Sequence, residues 1–97
     1  MGYSISSSAS VHTGCWFSGF FLFIGDYSVV NRNCRLDARG GLTIGANVSI
    51  SPECYLITAG HDPHSSDFSG SIKPTQIFIH DYVWIGARAM VLPGVTI

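Results

Sequence analysis

The run IGDYSVVNRNCRLDARGGLTIGANVSIS, residues 24–51, decides the fold. Its aliphatic residues return every sixth position: Ile24, Val30 and Leu36, then, after two extra residues, Ile44 and Ile50. A helix needs apolar residues three and four apart, and no such stripe runs through these segments. Outward from this run the same frame takes in Ile5, Val11 and Phe17 before it, and Leu56, Ile79, Ile85, Val91 and Ile97 after it. Twelve complete six-residue units open on an aliphatic or aromatic residue. The fifth position is small or apolar, as at Ala9, Cys15, Phe21, Ser28, Val48, Cys54, Val83, Ala89 and Val95. A fixed period of this kind marks a stack of similar units, each burying its apolar side only against its neighbours.

Taken in threes, the hexads make coils of three short strands, stacked as a triangular prism. First and fifth positions point inward, and successive coils pair through parallel ladders. The coils open at Ile5, Ile24, Ile44 and Ile79, steps of 19, 20 and 35 residues. The longest step holds a loop, about residues 61–76, rich in Pro, Ser, Asp and Gly. Residues 1–97 therefore read as a single all-β domain of about four coils, whose end coils need covering. Cys15, Cys34 and Cys54 share one position in successive coils and stack inside the prism as small core fillers. Vertical neighbours leave a disulfide geometrically open, and without a Cys-x-x-Cys pair a metal site is not indicated.

Composition narrows the class. The 97 residues carry five basic and six acidic side chains, a net charge of −1, with 46% hydrophobic and only 11% charged residues. An ordinary domain is about a quarter charged, and a chain this short buries only part of its apolar surface alone. Part of this hydrophobicity is therefore expected in subunit contacts. A near-neutral chain with no Lys/Arg-rich face does not fit nucleic-acid binding. No charge precedes Asp26, yet the longest apolar run there, residues 20–24, is far short of the roughly 20 residues of a membrane span. No basic segment precedes it as in a signal peptide. A soluble, cytoplasmic protein without membrane partners is expected, and an odd number of Cys agrees with a reducing compartment.

Three stretches carry a family likeness: the repeat run of residues 24–51, ITAGHDP at 57–63, and KPTQIFIHDYVWIGARAMVLPGVTI at 73–97. From Val11 to Ile97 the chain resembles the hexapeptide-repeat acyltransferases, nearest the maltose, galactoside and colanic-acid type of sugar O-acetyltransferase. The resemblance implies a left-handed coil, a hand that parallel crossovers rarely take. It also implies acetyl transfer from acetyl-CoA to a sugar or glycan hydroxyl, and a homotrimer with active sites between subunits. His61, following Thr58, Ala59 and Gly60, matches the family's catalytic base, and an imidazole suits that task because its pKa lies near neutrality. Asn31 matches the residue that orients the acceptor hydroxyl. Ala87, after Trp84, Ile85 and Gly86, stands where a backbone N–H meets the thioester oxygen, and such donors are a large catalytic term. Trp84 would line the acyl or acceptor cleft. Asp37 and His12 are weaker acceptor-binding candidates, with Arg39 beside Asp37. No metal is expected.

Plainer accounts stand beside these. Asn31 suits a turn, Trp84 suits corner packing between subunits, and Phe17, Phe20, Phe21 and Phe23 suit core and subunit packing. Family members continue past the position of Ile97 with a further coil that contributes to the acetyl-CoA site. One alternative is therefore a truncated, catalytically incompetent trimeric binding or structural module. Another is a zinc-dependent lyase like the gamma-class carbonic anhydrases, which share the prism fold, with His61, His64 and His80 as ligands.

Overall fold

Ile5, Ile24, Ile44 and Ile79, which open the four coils, lie in register in one parallel sheet. Val11, Val30, Ile50 and Ile85 do the same in a second, and Phe17, Leu36, Leu56 and Val91 in a third. The computed structural model describes residues 3–61, 71–72 and 75–97. Its first coil is β1 (Tyr3–Ile5), β2 (Ser10–Val11) and β3 (Trp16–Ser18). The second is β4 (Leu22–Ile24), β5 (Val29–Val30) and β6 (Arg35–Asp37), and the third β7 (Leu42–Ile44), β8 (Ser49–Ile50) and β9 (Tyr55–Leu56). The excursion β10 (Gly60–His61) and β11 (Ser71–Ile72) follows, and then the fourth coil, β12 (Ile77–Ile79), β13 (Trp84–Ile85) and β14 (Met90–Val91).

The first face is ordered β1-β4-β7-β12, the second β2-β5-β8-β13 and the third β3-β6-β9-β14. Every ladder on the three faces is parallel, giving the left-handed parallel β-helix expected. Ile97 falls on the register too: its N–H donates to the Phe78 carbonyl and its own carbonyl accepts from His80. Of the loop expected over residues 61–76, β10 and β11 form an antiparallel pair. Residues 62–70 and 73–74, His64 among them, lie outside the described residues. Among the described residues no helix is long and apolar enough to cross a membrane.

The inward columns are the core. Ile24, Val30, Leu36, Leu42, Ile44, Ile50, Leu56, Ile77 and Ile79 are almost fully buried, each contributing about 1.5–3 kcal/mol relative to exposure. At the two ends of the described stack Ile5, Val95 and Ile97 are exposed, and between them one inward assignment differs from expectation. Phe21 is half exposed, and Leu22 takes the inward place. The corner between third and first faces holds an extra residue, so the strand slips one position, and Leu42 and Ile77 stack above Leu22. The thiols do fill the core, and all three are free. Each donates to a carbonyl one coil on, Cys15 to Asn31, Cys34 to Ser51 and Cys54 to Gly86. Burial pushes the Cys34 thiol up to about 11.

Backbone conformation sets the corners. Gly14, Asn33, Glu53 and Arg88 occupy one turn position in four successive coils, with φ of 79°, 60°, 65° and 62°. Left-handed residues there swing the chain from one face to the next. Close stacking governs another position: a Cβ on Gly25 would lie 2.7 Å from the Gly45 carbonyl carbon.

Candidate active site

The candidate residues sort onto two edges of the prism. The edge joining second and third faces collects four of them. His12, Asn31 and Ser51 each follow the inward residue that ends a second-face strand, so they form one column. His12 is exposed and Asn31 half-buried. The Asn31 N–H and side-chain Nδ2 both donate to the Ile50 carbonyl, at 2.9 and 2.8 Å. One amide proton and Oδ1 of Asn31 remain for a ligand, because among the described residues no other partner reaches them. Trp84, on β13, is exposed, and its indole N–H donates to the Ser51 hydroxyl at 3.0 Å. The ring is thereby tied to the column at Ser51, one coil above Asn31. Ala87 lies in the exposed turn after β13, and its N–H has no partner among the described residues. The same holds for Arg32, a turn residue two coils lower. An open N–H at this edge is thus a property of the turn, available to an oxyanion but not peculiar to Ala87.

The edge joining third and first faces holds Asp37, Arg39 and the backbone of His61. Asp37 ends β6, and its side chain is almost entirely buried. Oδ1 accepts from the Arg39 N–H at 3.1 Å and Nε at 2.8 Å, and from the Ser18 hydroxyl at 3.4 Å. Oδ2 accepts from Arg39 Nη2 at 2.8 Å and from the N–H groups of Thr58 and Ala59 at 3.3 and 3.2 Å. Burial alone would raise the pKa of this carboxyl, but the Arg39 guanidinium and the backbone donors hold it down at about 2. The carboxylate is therefore occupied by the chain itself. Two residues beyond Ala59 the chain reaches His61 on β10.

The two edges do not meet within one chain. The third face separates them by at least the length of a three-residue strand, about 10 Å. Beside Trp16, whose apolar ring the period leaves over for a subunit contact, this face presents residues that the sequence does not single out. Trp16, Arg35, Tyr55 and Met90 are cross-strand neighbours on its outer side. The Arg35 guanidinium carbon lies 5.2 Å from the Trp16 ring centroid and 5.7 Å from that of Tyr55, within cation–π range. The register itself held the signal, since the four side chains at the position before the inward residue must share one outer column. His80, named for the zinc alternative, packs against Phe78 on the first face. Among the described residues no three His, Cys, Asp or Glu side chains gather as a metal site.

No family model and no solved structure matches the chain. Curated relatives do. It is 41% identical over 76 residues to "Putative colanic acid biosynthesis acetyltransferase WcaF" of Escherichia coli, covering 78% of this chain and 41% of that protein. To Nodulation protein L of Rhizobium meliloti it is 38% identical over 81 residues, covering 80% and 43%. To the galactoside O-acetyltransferase of Escherichia coli it is 33% identical over 96 residues, covering 97% and 47%. The chain thus spans less than half the length of these relatives. In its prism of hexads and across nearly all its length, the chain is similar to the hexapeptide-repeat acetyltransferases.

Proposed function

We propose that this chain forms the prism and catalytic edge of an acetyltransferase that moves an acetyl group from acetyl-CoA to a sugar hydroxyl. His61 takes the hydroxyl proton as the oxygen attacks the thioester carbon. The Ala87 N–H donates to the developing oxyanion, and Asn31 orients the acceptor through its remaining amide hydrogen-bonding groups. When the carbon–sulfur bond breaks, the imidazolium returns its proton to the departing thiolate. No metal takes part.

The observation that carries this reading is the similarity to a galactoside O-acetyltransferase over 97% of the chain, a span that takes in His61, Asn31, Trp84 and Ala87. The division of candidates between two edges supports a site made by two copies. One copy would bring Asn31, Trp84 and Ala87, and the next would bring His61, in a trimer closed around its threefold axis. Exposed Trp16, Tyr55 and Met90 on the intervening face are suited to that contact. Three free thiols fit a reducing, cytoplasmic setting.

The test is release of free thiol from acetyl-CoA in the presence of a panel of sugars. His61→Ala should lower kcat by about 10²–10⁴-fold, the usual contribution of a positioned base. Wild-type turnover no faster than that of His61→Ala would remove the proposal.

A further inference from the structure

We propose that Asp37 is a positioning residue for His61, its carboxylate fixing the backbone from which β10 departs. The inference rests on the reading of His61 as the base, and it comes from a comparison between coils. Where the first and second coils turn the corner from third face to first, the backbone ladder continues: the Ala38 N–H donates to the Ser18 carbonyl at 2.7 Å. One coil higher, the equivalent donor is the N–H of Thr58 and the equivalent acceptor the carbonyl of Asp37. That bond is replaced. The Thr58 N–H goes to Asp37 Oδ2, and the Ala59 N–H joins it there. The Asp37 carbonyl accepts instead from the Thr58 hydroxyl at 2.9 Å, which itself accepts from the Gly40 N–H at 2.8 Å.

A side chain thus supplies the acceptors where the chain leaves the coil towards His61. Donors buried without acceptors are costly, and here each finds one. Arg39 braces the arrangement with two donors to the carboxylate and a third contact to the Ala59 carbonyl at 3.5 Å. From the other side, the Thr75 N–H donates to the Thr58 carbonyl at 2.9 Å, so the returning strand closes the same short segment. Three residues, Thr58, Ala59 and Thr75, are therefore tied at the root of the excursion. Small displacements of a catalytic group cost large factors in rate, which gives this anchoring a catalytic consequence.

Asp37→Asn keeps the size and one acceptor oxygen but turns an NH₂ group towards donors that need an acceptor. In the full chain it should lower kcat at least tenfold while changing the KM for acetyl-CoA less than twofold. Amide hydrogen exchange at Gly60 and His61 should accelerate at least tenfold, with Val30, Ile44 and Ile50 unchanged. Thr58→Val, which removes only the hydroxyl bonds, should move the same amides in the same direction by less, and serves if Asp37→Asn does not fold. Unchanged exchange at Gly60 and His61 overturns the proposal, as does acceleration spread evenly over every coil. Unchanged kcat with altered exchange overturns it as well, because the anchoring would then have no catalytic effect. A wild-type chain without turnover defeats the assignment of His61 as base, and the exchange pattern still decides whether Asp37 anchors its backbone.

Discussion

At the scale of single residues, Asp37 shows how context sets a side chain's role. A solvated carboxylate at the end of a strand would be available to a ligand. Here two neighbouring coils and its own Arg39 engage it, and its pKa falls from 3.8 to about 2. A carboxyl with a lowered folded-state pKa adds stability above its unfolded pKa, and that stability is lost as pH falls through the folded value. Wild-type protein should therefore exceed Asp37→Asn in stability at pH 7 by on the order of 1–2 kcal/mol. The gap should contract between pH 4 and pH 2, as read from urea midpoints. A gap that stays constant to pH 2 would mean that charge has no part in it.

At the scale of elements, the strands are only two or three residues long on every face, and the turns carry as much of the specification as the ladders. The corner between first and second faces places Tyr27, Asn47 and Tyr82 in the left-handed region, with φ of 58°, 56° and 60°. Asn tolerates that conformation, whereas a tyrosine there is strained by roughly 1–2 kcal/mol. Tyr82 is exposed, so its side chain has little packing to offset the strain. Tyr82→Gly should be neutral or raise stability by up to about 1 kcal/mol, the relief being reduced by glycine's greater freedom in the unfolded chain. Tyr82→Val should lower stability, because a β-branched residue is poorly tolerated at positive φ. Denaturant midpoints of the pair check the order, and a valine variant as stable as the glycine variant would contradict it.

At the scale of the whole molecule, the apolar excess of the composition divides in two. The inward columns absorb the aliphatic residues and the thiols. Phe17 packs against that core, but other aromatics stay outside: Trp16, Phe20, Tyr27, Tyr82 and Trp84 are all largely exposed. On the third face Trp16 and Tyr55 flank Arg35, and Met90 continues the row. If this face lies against the threefold axis, as the proposed trimer requires, Trp16→Ser combined with Tyr55→Ser should lower the sedimenting mass from trimer towards monomer. Far-UV circular dichroism should not change, since neither side chain belongs to the inward core. A double variant that sediments as the wild type does would place the contact elsewhere.

The sequence by itself determined the coil. The six-residue period names Ile24, Ile44 and Ile79 as one column and stacks Cys15, Cys34 and Cys54 in another, because a prism repeats the same inward positions in every turn. It also singled out His61 and Asn31, through short motifs that survive without tertiary information. The corners were less legible. A single extra residue turned Phe21 outward and Leu22 inward, a slip that only the paired strands reveal. The partners of Asp37 were beyond reach, since Ser18, Thr58 and Ala59 come next to it only when three coils are stacked. Nor could the period tell that Asn31 and His61 stand on different edges, with the third face between them. Periodicity reports which way a side chain points. Which groups then meet depends on how successive coils lie against one another, and that was decided by the tertiary structure.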